Sequence, residues 1–193
     1  MRRTLVTLLL TASTALLTPG CASVQVRDDV LTGALPWSQP SGGLGDVSVW
    51  PETVWREDQK EKPLREGMIQ AAVASTFQGF PHGAIAEIRP VTPWVAESEP
   101  ERLASAHAAG IDTVVMVRVS ELGPLLYLSI PVLWSTYSDV KVRLRVVSLT
   151  SGEVLLDAER RRQVGGPFVL RGVEPLTGEL EIALRDALAL PAR

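Results

Sequence analysis

Chemistry needs reactive side chains held at fixed spacing, and this chain offers few: one cysteine, Cys21, two histidines, His82 and His107, a run of three arginines at 160–162, and scattered serines and carboxylates. His82 follows Pro81 in an expected loop and His107 lies near the end of an expected helix, and neither has a cysteine or a second histidine beside it. A structural zinc site needs four such donors, so no metal is expected. Ser120, Ser129, Ser135, Ser138 and Ser148 fall around expected strands, but none sits in a Gly-x-Ser-x-Gly elbow or three residues before a lysine. Gly42, Gly43 and Gly45 precede a strand and lack the lysine and hydroxyl residue of a phosphate loop. Glu97, Glu99 and Glu101, and again Glu174, Glu179 and Glu181, stand at expected helix starts, where the helix dipole favours carboxylates and no acid–base role is needed to explain them. No enzyme activity and no cofactor are expected.

Two segments remain. Arg160, Arg161 and Arg162 form the single basic run, and in a strand Arg161 would point away from its two neighbours. Such a run is either a solvated strand end or a contact for anionic headgroups, which a guanidinium fork suits. Residues 122–138 carry no charge between Glu121 and Asp139, and include Tyr127 and Trp134 among many aliphatic residues. Pro124 and Pro131 forbid one continuous helix there. Two readings stand: a core strand with a crossover beneath the helices, or an exposed apolar hairpin contacting a membrane or a protein partner. Tyr127, Trp134 and the three arginines are therefore the candidate contact residues.

Met1, Arg2 and Arg3 precede an uncharged apolar stretch over 5–17, followed by small residues and then Cys21. This is the pattern of a secretory signal, too short to span a bilayer as a mature helix. Leu16, Leu17, Thr18, Pro19, Gly20 and Cys21 resemble a bacterial lipobox. The resemblance implies cleavage before Cys21, diacylglyceryl attachment to its sulfur and acylation of the new terminus; Ala22 after it resembles an outer-membrane sorting signal. Several acyl chains would hold the domain stably on a membrane without spanning it. The alternative is ordinary signal peptidase cleavage after Ala22, which would discard the cysteine. With one cysteine, no intramolecular disulfide can form.

Composition bounds the rest. The chain has 193 residues, of which 46% are apolar and 21% charged, enough for one sizeable core and short for two. The net charge is −3, and removal of a leader containing Arg2 and Arg3 makes it more acidic, which argues against nucleic-acid binding. Residues 1–20 are read as signal, 21–45 as lipidated cysteine and flexible tether with a short alternating piece at 24–30, and 46–193 as a single domain.

Within that domain, alternation or β-branching predicts strands over 46–50, 84–90, 112–122, 138–149 and 153–163. Three-to-four spacing predicts helices from Pro63 to about Gly79, from Ser98 to Gly110 with Ser98 and Glu101 as a capping box, and over 175–190, where Gly178 weakens the start. The 138–149 and 153–163 strands form a hairpin whose register can be chosen. A three-residue loop with Gly152 left-handed sets Arg145 against Asp157, Arg143 against Glu159, Val146 against Leu156 and Leu144 against Ala158, whereas a two-residue turn sets Asp157 against Val146. The expected fold is α+β, order βαβαβββα, with a largely antiparallel sheet of about five strands under two long helices and one short one.

The Ala-Ala-Gly-Ile-Asp-Thr-Val-Val run after His107, the alternating strand, and Ser-Leu-Thr-Ser-Gly-Glu-Val-Leu at 148–155 are similar to small bacterial envelope lipoproteins, including the amino-terminal domain of TolB translocation proteins and the curli-secretion lipoproteins. That similarity implies a periplasm-facing α+β module that assembles with envelope protein partners or with itself. It brings no catalytic residue. The sequence thus points to a non-enzymatic, membrane-anchored interaction module at the periplasmic face of the outer membrane, or alternatively to a lipid or glycolipid binder using 122–138.

Overall fold

The computed structural model describes residues 23–33, 43–129, 133–167 and 169–189. Its elements run β1 (Ser23–Gly33), β2 (Asp46–Thr53), α1 (Lys62–Phe77), β3 (Ala84–Ile88), β4 (Thr92–Pro93), a 3-10 turn (Ala96–Ser98) leading into α2 (Glu99–Ala108), β5 (Thr113–Ser129), β6 (Leu133–Ser148), β7 (Val154–Pro167) and α3 (Leu176–Ala187). The fold is α+β, as the sequence implies, with three helices. The sheet, however, is mixed and seven-stranded: β1-β7-β6-β5-β2-β3, with β4 also on β2. Along β1, β7, β6 and β5 each strand is antiparallel to the next, and β2 pairs parallel with β5, β3 and β4.

Alternation along the strands sorts two cores. Val47, Val49, Val115, Val117, Val119, Val142, Leu144 and Val146 face α1 and α3, which contribute Ile69, Val73, Phe77, Leu180 and Leu184. The opposite face carries Trp50, Val114, Met116 and Val147 under Ala106 of α2. Pro51, where the sequence suggests a stop, lies inside β2. The Val49 carbonyl accepts from the Arg89 amide (2.9 Å) and the Thr53 carbonyl from the Trp94 amide (3.0 Å), so odd-numbered residues face the β3–β4 side. Pro51 falls opposite the gap between those strands, where no donor is missed.

The hairpin register is the one charge and apolarity select: Arg143↔Glu159, Leu144↔Ala158, Arg145↔Asp157 and Val146↔Leu156, with Gly152 at φ 73°. The expected Ser98 capping box is not formed; its hydroxyl donates to the Val95 carbonyl instead (3.0 Å). Ser23–Gly33, which the sequence places in the tether, is a strand hydrogen-bonded along β7. Gly178 lies exposed in α3 with nothing within 4 Å of an added Cβ. Gly178→Ala is expected to stabilise the protein by about 0.5–1 kcal/mol, read as a higher urea midpoint, since only backbone entropy is at stake.

Candidate functional site

The largest charged assembly clamps α2 to the sheet. Arg102 Nη1 of α2 donates to Glu52 Oε1 of β2 (2.6 Å), and Arg118 Nη2 of β5 donates to Glu52 Oε2 (3.2 Å) and Glu99 Oε2 (3.3 Å). Arg145 also pairs with Glu99. Arg89 and Arg102 each lie 4.5 Å from the Trp50 ring centroid, and Arg118 4.1 Å from that of Trp94. Trp50 Nε1 donates to Ser48 Oγ, which donates to Glu87 (both 2.6 Å); that hydroxyl, opposed by partial burial and aided by Arg89, holds Glu87 below the usual carboxylate range.

Further along the same face, charges pair diagonally between strands. Arg143 holds Asp157 through two 2.7 Å bonds, and Lys141 meets Glu159 at 2.9 Å. Arg161 grips Asp139 through Nε (2.9 Å) and Nη2 (2.6 Å), and those carboxylate hydrogen bonds raise the pKa of both arginines. The cations and carboxylates here neutralise one another within the chain. No group of three His, Cys, Asp or Glu among the described residues could hold a metal ion. Partial burial lowers the pKa of His82.

The arginine run divides as strand alternation requires. Arg160 is held by Asp28 of β1 (2.6 Å) and Asp186 of α3 (3.1 Å), and Arg162 by Glu179 of α3 (2.7 Å), all on the helix side. Arg161 alone faces the other way. The five contact candidates are therefore not one cluster: Tyr127 and Arg161 share the open face, while Trp134, Arg160 and Arg162 lie on the helix side. Cys21 lies outside the described residues.

Residues 122–129 and 133–138 are paired strand and not a crossover, with Leu122, Thr136 and Ser138 buried. They extend β5 and β6 as a hairpin past the end of β2, whose last pair is Thr53↔Val119. Leu122 is buried, and the chain then emerges: Leu126 is 61% exposed, Tyr127 52% and Leu128 75%. Tyr127 packs edge-on against Tyr137, centroids 5.7 Å apart. The Thr136 hydroxyl donates to the Val169 carbonyl and accepts from the Arg171 amide (2.9 Å), which fixes Leu170, 85% exposed, beside the hairpin. An apolar end results, made of Leu126, Leu128 and Leu170. On its open side Gln25, Arg27, Tyr127, Arg161 and Gln163 line a polar cleft of about 220 Å³. Sequence reasoning missed Gln25, Arg27, Gln163 and Leu170; the alternation at 24–30 was the available signal for the first two.

No helix among the described residues is long and apolar enough to cross a membrane. No family model and no curated protein matches the chain. Solved structures do. A PelC dodecamer from Paraburkholderia phytofirmans is 15% identical, over 88% of this chain and 100% of its own, with a TM-score of 0.43. Lipoprotein GNA1162 from Neisseria meningitidis is 16% identical over 75% and 98%, TM-score 0.38. The LpoB C-terminal domain from Salmonella enterica is 9% identical over 62% and 82%, TM-score 0.31. One of these three is described as a lipoprotein, and the similarity to TolB and curli-secretion proteins rests only on the residues quoted for it.

Proposed function

We propose that this chain is a lipoprotein, cleaved after residue 20 and acylated on Cys21, that serves as a non-enzymatic interaction or assembly module of an envelope complex on the periplasmic face of the outer membrane. The observation that carries this reading is the division of the surface: charged side chains over the sheet are spent on one another, while the hairpin end leaves Leu126, Leu128 and Leu170 uncovered. Apolar surface rimmed by polar groups marks a contact site. The lipobox motif and the similarity to TolB amino-terminal domains and curli-secretion lipoproteins support a periplasm-facing module whose partners are envelope proteins or further copies. The same exposed hairpin favours the second reading, a lipid or glycolipid contact through 122–138.

The test is expression of the full chain beside Cys21→Ala in a Gram-negative host, with membrane fractionation and the mass of the mature amino-terminal peptide. A triacylated peptide beginning at Cys21 in the membrane fraction, lost in the variant, is expected. An unmodified terminus at Ser23 in the soluble fraction overturns the anchor. Cross-linking in intact cells then reads the partners: adducts that disappear on Leu128→Asp support the module, and substrate turnover by the purified protein contradicts it.

A further inference from the structure

We infer that the hairpin end is a second membrane contact, which seats the domain on the same bilayer that receives the acyl chains of Cys21. This deepens the second reading, a lipid contact through the hairpin, and rests on the proposed anchor. Cys21 is two residues from Ser23, and two peptide links reach no more than about 7 Å. Ser23 begins β1 and is already tied down, paired with Gly165 and donating its hydroxyl to the Gly165 carbonyl (3.2 Å). No tether therefore separates an acylated Cys21 from the sheet.

The register then says which end of the sheet meets the lipid. Ser23 pairs with Gly165, Gly165 with Tyr137, and Tyr137 with Leu125, so these four stand in one row across four strands. Leu126 and Leu128 lie beyond that row toward the hairpin end, with their side chains on the same face of the sheet as Trp134, and Leu128 is about 10 Å further along the strand. The polar layer of a bilayer leaflet is roughly 5–8 Å thick. An anchor within about 7 Å of the row thus brings the row to headgroup level and the hairpin end into the layer.

The residues available at that depth fit. Leu126, Leu128 and Leu170 would leave water for acyl chains, and Tyr127 is an interfacial side chain with an apolar ring and a polar tip. Arg27, which also lines the cleft, pairs with Arg161 four residues from the row, about 13 Å to its water side, and lends positive potential above an anionic surface. The β1 edge, the other surface close to Cys21, presents Arg27 and Asp28 and is the costlier one to immerse.

A second copy fits the hairpin less well. Past Val119 the outer edge of β5 is unpaired, but it is blunted against strand addition: Arg65 caps the Leu122 carbonyl, and Pro124 has no amide to offer.

The experiment uses the full-length lipidated chain, whose native thiol is acylated, with one new thiol introduced as Leu128→Cys at the hairpin or Ser151→Cys in the turn at the opposite end. Each is labelled with an environment-sensitive fluorophore and reconstituted in vesicles of phosphatidylethanolamine and phosphatidylglycerol. The expected result is a blue-shifted Leu128→Cys label quenched several-fold more strongly by nitroxide-bearing lipid than the Ser151→Cys label. If acylated, vesicle-bound protein gives the same water-exposed emission at both sites, the docking fails while the anchor stands. If the Leu128→Cys label is shielded but insensitive to lipid nitroxide, a protein surface covers it and the lipid assignment is overturned. If the peptide mass shows no acylation, the anchor fails and takes the docking geometry with it.

Discussion

Glu52→Ala is expected to destabilise the protein by about 3–5 kcal/mol, the cost of breaking a buried ion pair from one side. The Glu52 side chain is 1% exposed and receives Arg102 and Arg118 on its two oxygens. Removing it leaves two guanidiniums facing each other across a space that water does not reach freely. Arg118 suffers most: its side chain is largely covered, it stacks on Trp94, and its Nε has no hydrogen-bond partner. Glu99 retains Arg118 and Arg145 and Glu87 retains Arg89, but Arg102 loses the carboxylate it was paired with. Because Glu52 and Arg102 join β2 to α2, loss of amide protection is expected first in α2 and last in α1 and α3, which pack on the other face. Arg143→Ala is the contrast. That side chain is 39% exposed, so its pair with Asp157 is worth about 0–1 kcal/mol despite good geometry. Urea denaturation at unchanged slope distinguishes the two. A Glu52→Ala loss below that of Arg143→Ala would mean that α2 is loosely seated and its ion pairs are solvated.

The comparison of sequence with structure follows the range over which each feature is determined. The β6–β7 register was legible because every determinant is local: Gly152 must be left-handed, and charge and apolarity reject the shorter turn within a few residues of it. The first helix was legible for the same reason, since Ile69, Ala72, Val73 and Phe77 mark one buried stripe without reference to a partner. β1 was not. Val24, Gln25, Val26 and Arg27 alternate, but their partner strand lies more than 130 residues away and the intervening sequence has a linker's composition. The Arg160–Arg162 run shows the same limit in side chains. Its alternation was readable, but Asp28, Asp139, Glu179 and Asp186 come from three other elements, and only the fold reveals that they neutralise it. The hairpin extension defeated periodicity differently. A ribbon exposed on both faces has no polar side, so Leu125, Leu126, Tyr127 and Leu128 give neither a period of two nor one of 3.6.

Gly165→Ala is expected to cost about 1–3 kcal/mol, with the damage concentrated at the hairpin end. The conflict is with backbone. An added Cβ would collide with the Thr136 carbonyl oxygen and lie 2.7 Å from the Tyr137 Cα, neither of which can swing aside as a side chain would. β6 and β7 must separate locally, and the separation reaches two further contacts. One is the Ser23–Gly165 pairing that begins β1; the other is the Thr136 hydroxyl that holds Val169 and Arg171 beside the hairpin. Hydrogen exchange is therefore expected to quicken over 23–27, 134–138 and 164–167, while the core strands over 114–118 keep their protection. Gly172→Ala serves as the control, since nothing lies within 4 Å of its added Cβ. The residue thus does for the apolar end what no polar interaction could: by lacking a side chain it lets β7 lie close against β6, so that the strand beginning at Ser23 and the exposed Leu128 stay parts of one rigid sheet. Uniform loss of protection across the whole sheet would show instead that this end has no separate stability, and that its position is set by the helix-covered core rather than by the close approach at Gly165.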